Sequence, residues 1–196
     1  MPNLPPLERR DTPELEPLLR VAEQAMGFVP NSLLTMARWP ELVRAFVPLA
    51  GLVNSPRRVP AETKSLVAFV SSRAAGCGYC QAHTSHGAER RGIASEKIEA
   101  ACDFESSPLF EPAELAALRF ARDASVSPAA VTPEHFRALR EHYDDDQIVE
   151  LAAVIALFGW LNRWNDALAT TLEAAPLEFG TKHLAAHGWH AERHRP

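Results

Sequence analysis

The sequence predicts an all-α fold. Apolar residues recur at intervals of three and four, alanine and leucine dominate, and no stretch alternates convincingly with the period of two that a half-buried strand requires. A length of 196 residues at 46% hydrophobic content supplies one sizeable core, arranged as a compact multi-helix unit or as two related helical halves.

Each helix has local reasons to start and stop. Leu15 to Met26 is amphipathic and Gly27 ends it. A short helical segment covers Leu33 to Ala37, and Pro40, suited to a first helical position, opens a helix through Leu52. Pro60 starts another through Leu66 and Phe69 to Ala75, where Gly76 stops it; the chain restarts at Cys77 and runs to Arg91, before Gly92. Ser95 to Cys102 and Pro112 to Ala124 have helical spacing, and Thr132-Pro133 should start Glu134 to Tyr143. Asp144, Asp145 and Asp146 suit the positive dipole end of the most hydrophobic helix, Ile148 to Phe158. Laying Gly159 on Gly76 gives a weak internal echo, with Trp160 and Arg163 standing where Cys77 and Cys80 stand. The expected organisation is an arm and first helix over 1–24, a helical domain over 25–175 and a tail over 176–196.

The formal net charge of −5 gives no general attraction for nucleic acid or an anionic membrane. The longest apolar run, Leu151 to Leu161, is too short to span a bilayer, and the N-terminal segment has prolines and charges where a secretory signal needs an apolar stretch. Three cysteines, two of them in C-x-x-C, do not make the spaced framework of a secreted disulfide protein. A soluble, cytoplasmic protein is expected. In a reducing compartment a C-x-x-C pair serves catalysis or metal binding more often than structure.

The run GCGYCQAHTSH concentrates the chemistry. Cys77 and Cys80 are one helical turn apart, within disulfide reach, and the free N–H groups and dipole at a helix start favour a thiolate. His83 lies on the adjoining ridge, placed to accept a thiol proton directly or through a water; His86 is displaced round the helix toward a supporting or solvent-facing position. Cys77, Cys80, His83 and His86 carry zinc-ligand types, but along one helix about 13 Å long they cannot converge on a tetrahedron. A thioredoxin-type pair would need flanking strands. No metal and no cofactor is expected.

With a preceding helix, Gly76, C-x-Y-C, a nearby His and an upstream Glu, the chain resembles the alkylhydroperoxidase D and carboxymuconolactone decarboxylase superfamily. FVPNSLL near the start and the late IVELAAVIALFGWLNRWNDAL resemble its longer, peroxidase-related members. The resemblance implies an alkylhydroperoxidase D-like all-α fold, a homo-oligomer (dimer, trimer or hexamer), and a thiol pair cycling between dithiol and disulfide. It makes Cys80 the peroxide-attacking thiol and Cys77 the resolving one. The family's relay Glu and His positions fall on Ser65 and Thr84 here, so Glu62 and His83, each close by, are the candidates for moving protons; Tyr79 stands where the best-known peroxidase has a His between its cysteines. The implied activity is that of an antioxidant oxidoreductase reducing a small hydroperoxide at the expense of a thiol or dithiol reductant. Two alternatives are a decarboxylase-like lyase that does not depend on the thiols and a non-catalytic redox-sensing oligomer.

Other residues read more plainly. His183, His187, His190 and His194 would form a stripe on a helix, but near a chain end and interrupted by Gly188 they are expected in a solvated tail. Cys102 is expected to be an ordinary buried small residue. Arg163 and Asp166, flanking Trp164, are expected in core packing or helix pairing, with the thiol pocket or an intersubunit contact as the alternative.

Overall fold

A computed structural model describes residues 1–196. It contains ten α-helices and no strand: α1 Glu16–Met26, α2 Asn31–Met36, α3 Pro40–Asn54, α4 Ala61–Ala74, α5 Gly78–Arg90, α6 Ser95–Ala100, α7 Pro112–Ser125, α8 Pro133–Arg140, α9 Asp145–Leu168 and α10 Ala174–Phe179. Proline sits in the first turn of α1, α3, α7 and α8, where its missing N–H costs nothing. Asp144 caps α9 in a capping box, its carboxylate accepting from the Gln147 N–H at 2.9 Å while Gln147 accepts from the Asp144 N–H at 3.0 Å.

The fold is organised round α4, which is buried from Thr63 to Ser72 with α5, α7 and α9 packed against it. The reversal from α4 to α5 turns on Gly76, whose φ of 76° lies in the left-handed region that glycine enters without penalty. The main core joins Leu66, Phe69 and Val70 of α4 to Leu118 and Ala121 of α7 and Leu151 and Val154 of α9. A smaller cluster of Leu15, Leu19, Leu33, Met36 and Val43 seats α1 against α2 and α3. No helix is long and apolar enough to cross a membrane.

Two expectations fail here. Gly159 does not separate two helices: α9 runs unbroken through it for 24 residues, so the α4–α5 hairpin has no counterpart in the second half. An interior glycine costs a helix only about 1 kcal/mol, which the apolar residues flanking it outweigh. The histidine-bearing end is also not a solvated tail. After α10 the chain makes a π turn over Gly180–Leu184 and a 3-10 turn over Ala185–His187, then folds back onto the start of α5. Trp189 and His194 are buried there, and His183 pairs with Glu99 at 2.6 Å; His187 and His190 alone remain exposed.

Candidate active site

Cys77 does not begin α5 but caps it. Its extended backbone turns the side chain back over the helix start, and its Sγ accepts a hydrogen bond from the Cys80 N–H at 3.3 Å. Both thiols are free and buried. The Cys77 thiol is pushed well above the ordinary thiol range, chiefly by its hydrogen bond to the Cys80 sulfur and next by burial. Cys77 is therefore a thiol that keeps its proton.

Cys80 opens onto a cavity of about 240 Å³, and Cys77 does not. Met26 of α1, Leu33 of α2, Phe46 and Val47 of α3, and Leu157 and Leu161 of α9 make its walls largely apolar. The polar exceptions gather near the sulfur. Asn165 Nδ2 donates to Cys80 Sγ at 3.3 Å and to the Leu161 carbonyl at 3.0 Å, which leaves Asn165 Oδ1 buried without a protein partner.

His83 lines the same cavity, one turn after Cys80 on α5. Its ring stacks on Tyr79 with centroids 4.1 Å apart and meets Phe28 edge-on, and its Nε2 lies 2.5 Å from Glu173 Oε2. Glu173, just before α10, also accepts from the Tyr79 hydroxyl at 3.1 Å and from the Asn31 N–H at 2.5 Å. Burial works to raise the Glu173 carboxyl, but the His83 charge and the hydrogen bonds from His83 and the Asn31 N–H outweigh it and hold it below the usual carboxylate range. Burial pushes the Tyr79 hydroxyl up, with the Glu173 charge adding to it, so it stays a donor. The arrangement brings a sulfur nucleophile, a second thiol behind it and an oriented imidazole to one end of an apolar chamber.

Residues 40–123 match the carboxymuconolactone decarboxylase family. A cysteine-to-alanine variant of the debrominase Bmp8, in complex with 2,3,4-tribromopyrrole, superposes with a TM-score of 0.87 at 42% identity over 91% of this chain and 96% of that one. The chain belongs to the carboxymuconolactone decarboxylase family. The uncharacterized protein YnjA of Escherichia coli (strain K12) is 34% identical over 105 residues, which span 54% of this chain and 58% of YnjA. At the level of fold, an uncharacterized peroxidase-related protein from Ralstonia eutropha JMP134 with an alkylhydroperoxidase AhpD core superposes with a TM-score of 0.75 at 24% identity, over 91% of this chain and 94% of that one.

Of the residues that the family resemblance singled out, Cys77, Cys80 and His83 come together, and Glu62 does not. Glu62 is in the first turn of α4, half-exposed, paired with Lys97 at 2.8 Å. The reason is rotational: the side of α4 that carries Ser65 and Ala68 faces the cavity, while Glu62 points to the cation that Lys97 shares with Glu114. Glu173 occupies the place beside His83 that was expected of Glu62. His86, half-buried against Phe28 and Phe179, stays outside the cavity, and burial lowers its pKa. Cys102, expected to be buried, is only half-buried, packed against the edge of the core.

Two further residues, Asn165 and His194, were not assigned to the site by sequence, and Asp166, for which the thiol pocket was the alternative to packing, joins them. Asn165 reaches Cys80, and Asp166 and His194 lie behind Cys77, where the three donor atoms of Cys77, Asp166 and His194 are within 4.8 Å of one another. The NRWND run was the available signal: Asn165 and Asp166 serve the two thiols, while Arg163 and Trp164 line a separate open groove with Trp160 and Phe120.

Proposed function

We propose that this protein is a dithiol-dependent reductase that removes a halogen from a small halogenated aromatic ring, Cys80 taking the halogen and Cys77 closing a disulfide. The observation that carries the reading is that Cys80 alone of the pair opens onto an apolar cavity of ring-sized volume. The 42% identity to a debrominase that binds a brominated pyrrole supports it. Asn165 Oδ1 is available to accept the N–H of such a ring.

In the first step the Cys80 sulfur bonds to bromine as the carbon–bromine bond breaks, and the bonding pair stays on the ring carbon, which takes a proton. His83, oriented by Glu173, supplies it. Cys77 then attacks the Cys80 sulfur, the sulfur–sulfur bond forms, and bromide departs with the sulfur–bromine electron pair. One carbon–bromine bond and two thiols become one carbon–hydrogen bond, one disulfide and HBr; an external thiol or dithiol reopens the disulfide.

Hydroperoxide reduction is the second reading, favoured by the same buried dithiol and by an imidazole placed to protonate a departing alkoxide. Cys80 would become a sulfenic acid, and Cys77 would displace water from it. The test is to mix reduced protein with pyrroles carrying one to four bromines and, separately, with cumene hydroperoxide. Stoichiometric bromide with one Cys77–Cys80 disulfide, abolished in C80S, is the expected result. Fast oxidation by hydroperoxide with no bromide release would decide for the peroxidase. Oxidation without turnover of either substrate would leave a redox sensor, and turnover that survives C80S would point to the lyase chemistry of the family.

A further inference from the structure

We propose that His194, held by Asp166 and Thr170, accepts the proton of the resolving thiol Cys77 as that thiol closes the disulfide; the assignment rests on the dithiol reading above. His194 is 2% exposed and Cys77 fully buried, so no bulk water takes the proton directly. Neither His194 nor Asp166 lines the substrate cavity, so both serve the far side of the thiol pair from the one His83 serves.

His194 Nδ1 lies 2.8 Å from the Thr170 carbonyl oxygen, which only accepts, so Nδ1 carries a hydrogen. His194 Nε2 lies 3.1 Å from Asp166 Oδ1, and a carboxylate also only accepts. With its hydrogen on Nδ1 a neutral ring keeps its lone pair at Nε2, and a proton taken up there can be hydrogen-bonded at once to the Asp166 carboxylate. One donor atom each of Cys77, Asp166 and His194 lies within 4.8 Å of the other two, which makes the Cys77 S–H the adjacent source of such a proton.

Other groups near the ring do not compete. Tyr79, with its ring 5.9 Å from that of His194, has its hydroxyl committed to Glu173, and the Arg193 guanidinium donates to the Asp166 backbone carbonyl at 3.4 Å. A thiol attacks as its thiolate, so a resolving thiol that keeps its proton needs an acceptor close by. The folded-back chain end delivers it: the Leu172 N–H donates to the His194 carbonyl at 2.8 Å, and Trp189 Nε1 donates to the Gly78 carbonyl at 2.9 Å.

The step balances without a further reagent. Once Cys80 carries a leaving group, halogen or hydroxyl, the Cys77 sulfur forms the sulfur–sulfur bond, the leaving group departs with the electron pair of its bond to Cys80, and the Cys77 proton passes to His194 Nε2. Cys77 is oxidised and the Cys80 sulfur reduced, both ending at the disulfide level, while the leaving group departs as an anion.

The test uses 2,2′-dithiodipyridine, a neutral aromatic disulfide, in a C102S background by stopped flow. Cys80 exchange releases one thiopyridone and Cys77 resolution a second; C77S, which retains Cys80 alone, identifies the first phase. His194→Ala should leave the first phase unchanged and slow the second about 10²-fold, the low end for acid–base assistance, and added imidazole should restore part of the loss. Asp166→Asn, which leaves the ring in place, should slow the second phase in the same direction and carries the test if His194→Ala does not fold. A second phase at the parent rate in either folded variant, or a slowing in His194→Ala that imidazole leaves untouched, overturns the assignment. Absence of a first phase in the parent protein removes the dithiol reading itself, a different failure from loss of the second phase alone.

Discussion

At the level of single residues, the decisive contrast is between two glutamates. Glu62 is legible in sequence because it precedes the cysteines on an adjacent helix. Its carboxylate, however, answers to Lys97, and a partner for His83 comes instead from Glu173, 90 residues further on. No local pattern marks Glu173, because it acts from a non-helical position whose aim is set by the Asn31 N–H and the Tyr79 hydroxyl. Glu173→Gln should therefore slow the first reaction of Cys80 about 10²-fold, and Glu62→Gln should leave it unchanged, as read by stopped-flow thiol oxidation. The same carboxylate predicts an acid dependence. Since its folded pKa lies below the ordinary value of about 4.3, its stabilisation is complete above that value and is lost as pH falls through the lower folded one. Urea midpoints measured between about pH 6 and pH 3 should fall less steeply for Glu173→Gln than for the parent protein. Equal slopes would show that the pair carries no such linkage.

For the helices, starts and stops are where sequence reasoning succeeds, because Pro40, Gly27, Gly76 and Asp144 act through their own backbone chemistry. It fails where tertiary contact overrides a local signal, at Gly159, and where no periodic signal exists, in the π and 3-10 turns after α10. The start of α5 combines both cases. Cys77 was expected inside the helix and is instead its cap, and Gly78 has a role that the motif alone does not reveal. A Cβ at position 78 would lie 2.9 Å from the His190 carbonyl oxygen and 3.5 Å from the His194 ring, both in the folded-back chain end. Glycine thus permits that segment to lie directly on the thiol turn, although alanine would favour the helix by about 1 kcal/mol. Gly78→Ala should release the segment, shift Trp189 fluorescence to the red, speed proteolysis after residue 184 and open Cys77 to a bulky maleimide. Unchanged fluorescence and an unreactive Cys77 would mean that the segment accommodates the methyl group.

For the molecule as a whole, the arrangement of helices round α4 explains why a helix with so little apolar asymmetry sits at the centre. The all-α architecture was legible from periodicity, but the placement of α4 was not, since Thr63, Lys64, Ser65, Ser71 and Ser72 are polar residues and yet are buried. Enclosure by α5, α7 and α9 removes these groups from water; Ser65 and Ser72 bond back to α4 carbonyls, the Ser71 hydroxyl has no partner, and Lys64 finds the most consequential one. Its ammonium, with the side chain 4% exposed, lies 2.9 Å from Glu150 of α9 and donates to the Val53 and Ser55 carbonyls at 3.2 and 3.0 Å. Glu150 in turn accepts from the Arg58 and Val59 N–H groups, both at 3.3 Å, so one ion pair ties the α3–α4 connection to α9. Burial acts to raise the Glu150 carboxyl and the hydrogen bonds from Lys64, Val59 and Arg58 prevail, leaving it lowered. Lys64→Ala would strand that carboxylate, a loss of about 3–5 kcal/mol for a broken buried pair. At about 2–4 °C per kcal/mol for a chain of this size, the melting temperature should drop by roughly 6–20 °C. Lys64→Met combined with Glu150→Gln should recover much of the loss, because the amide still accepts from the connection and no unpaired charge remains. A single-variant loss below about 1 kcal/mol, the range of exposed pairs, would show that water reaches the ammonium and that the connection is held by its backbone contacts instead.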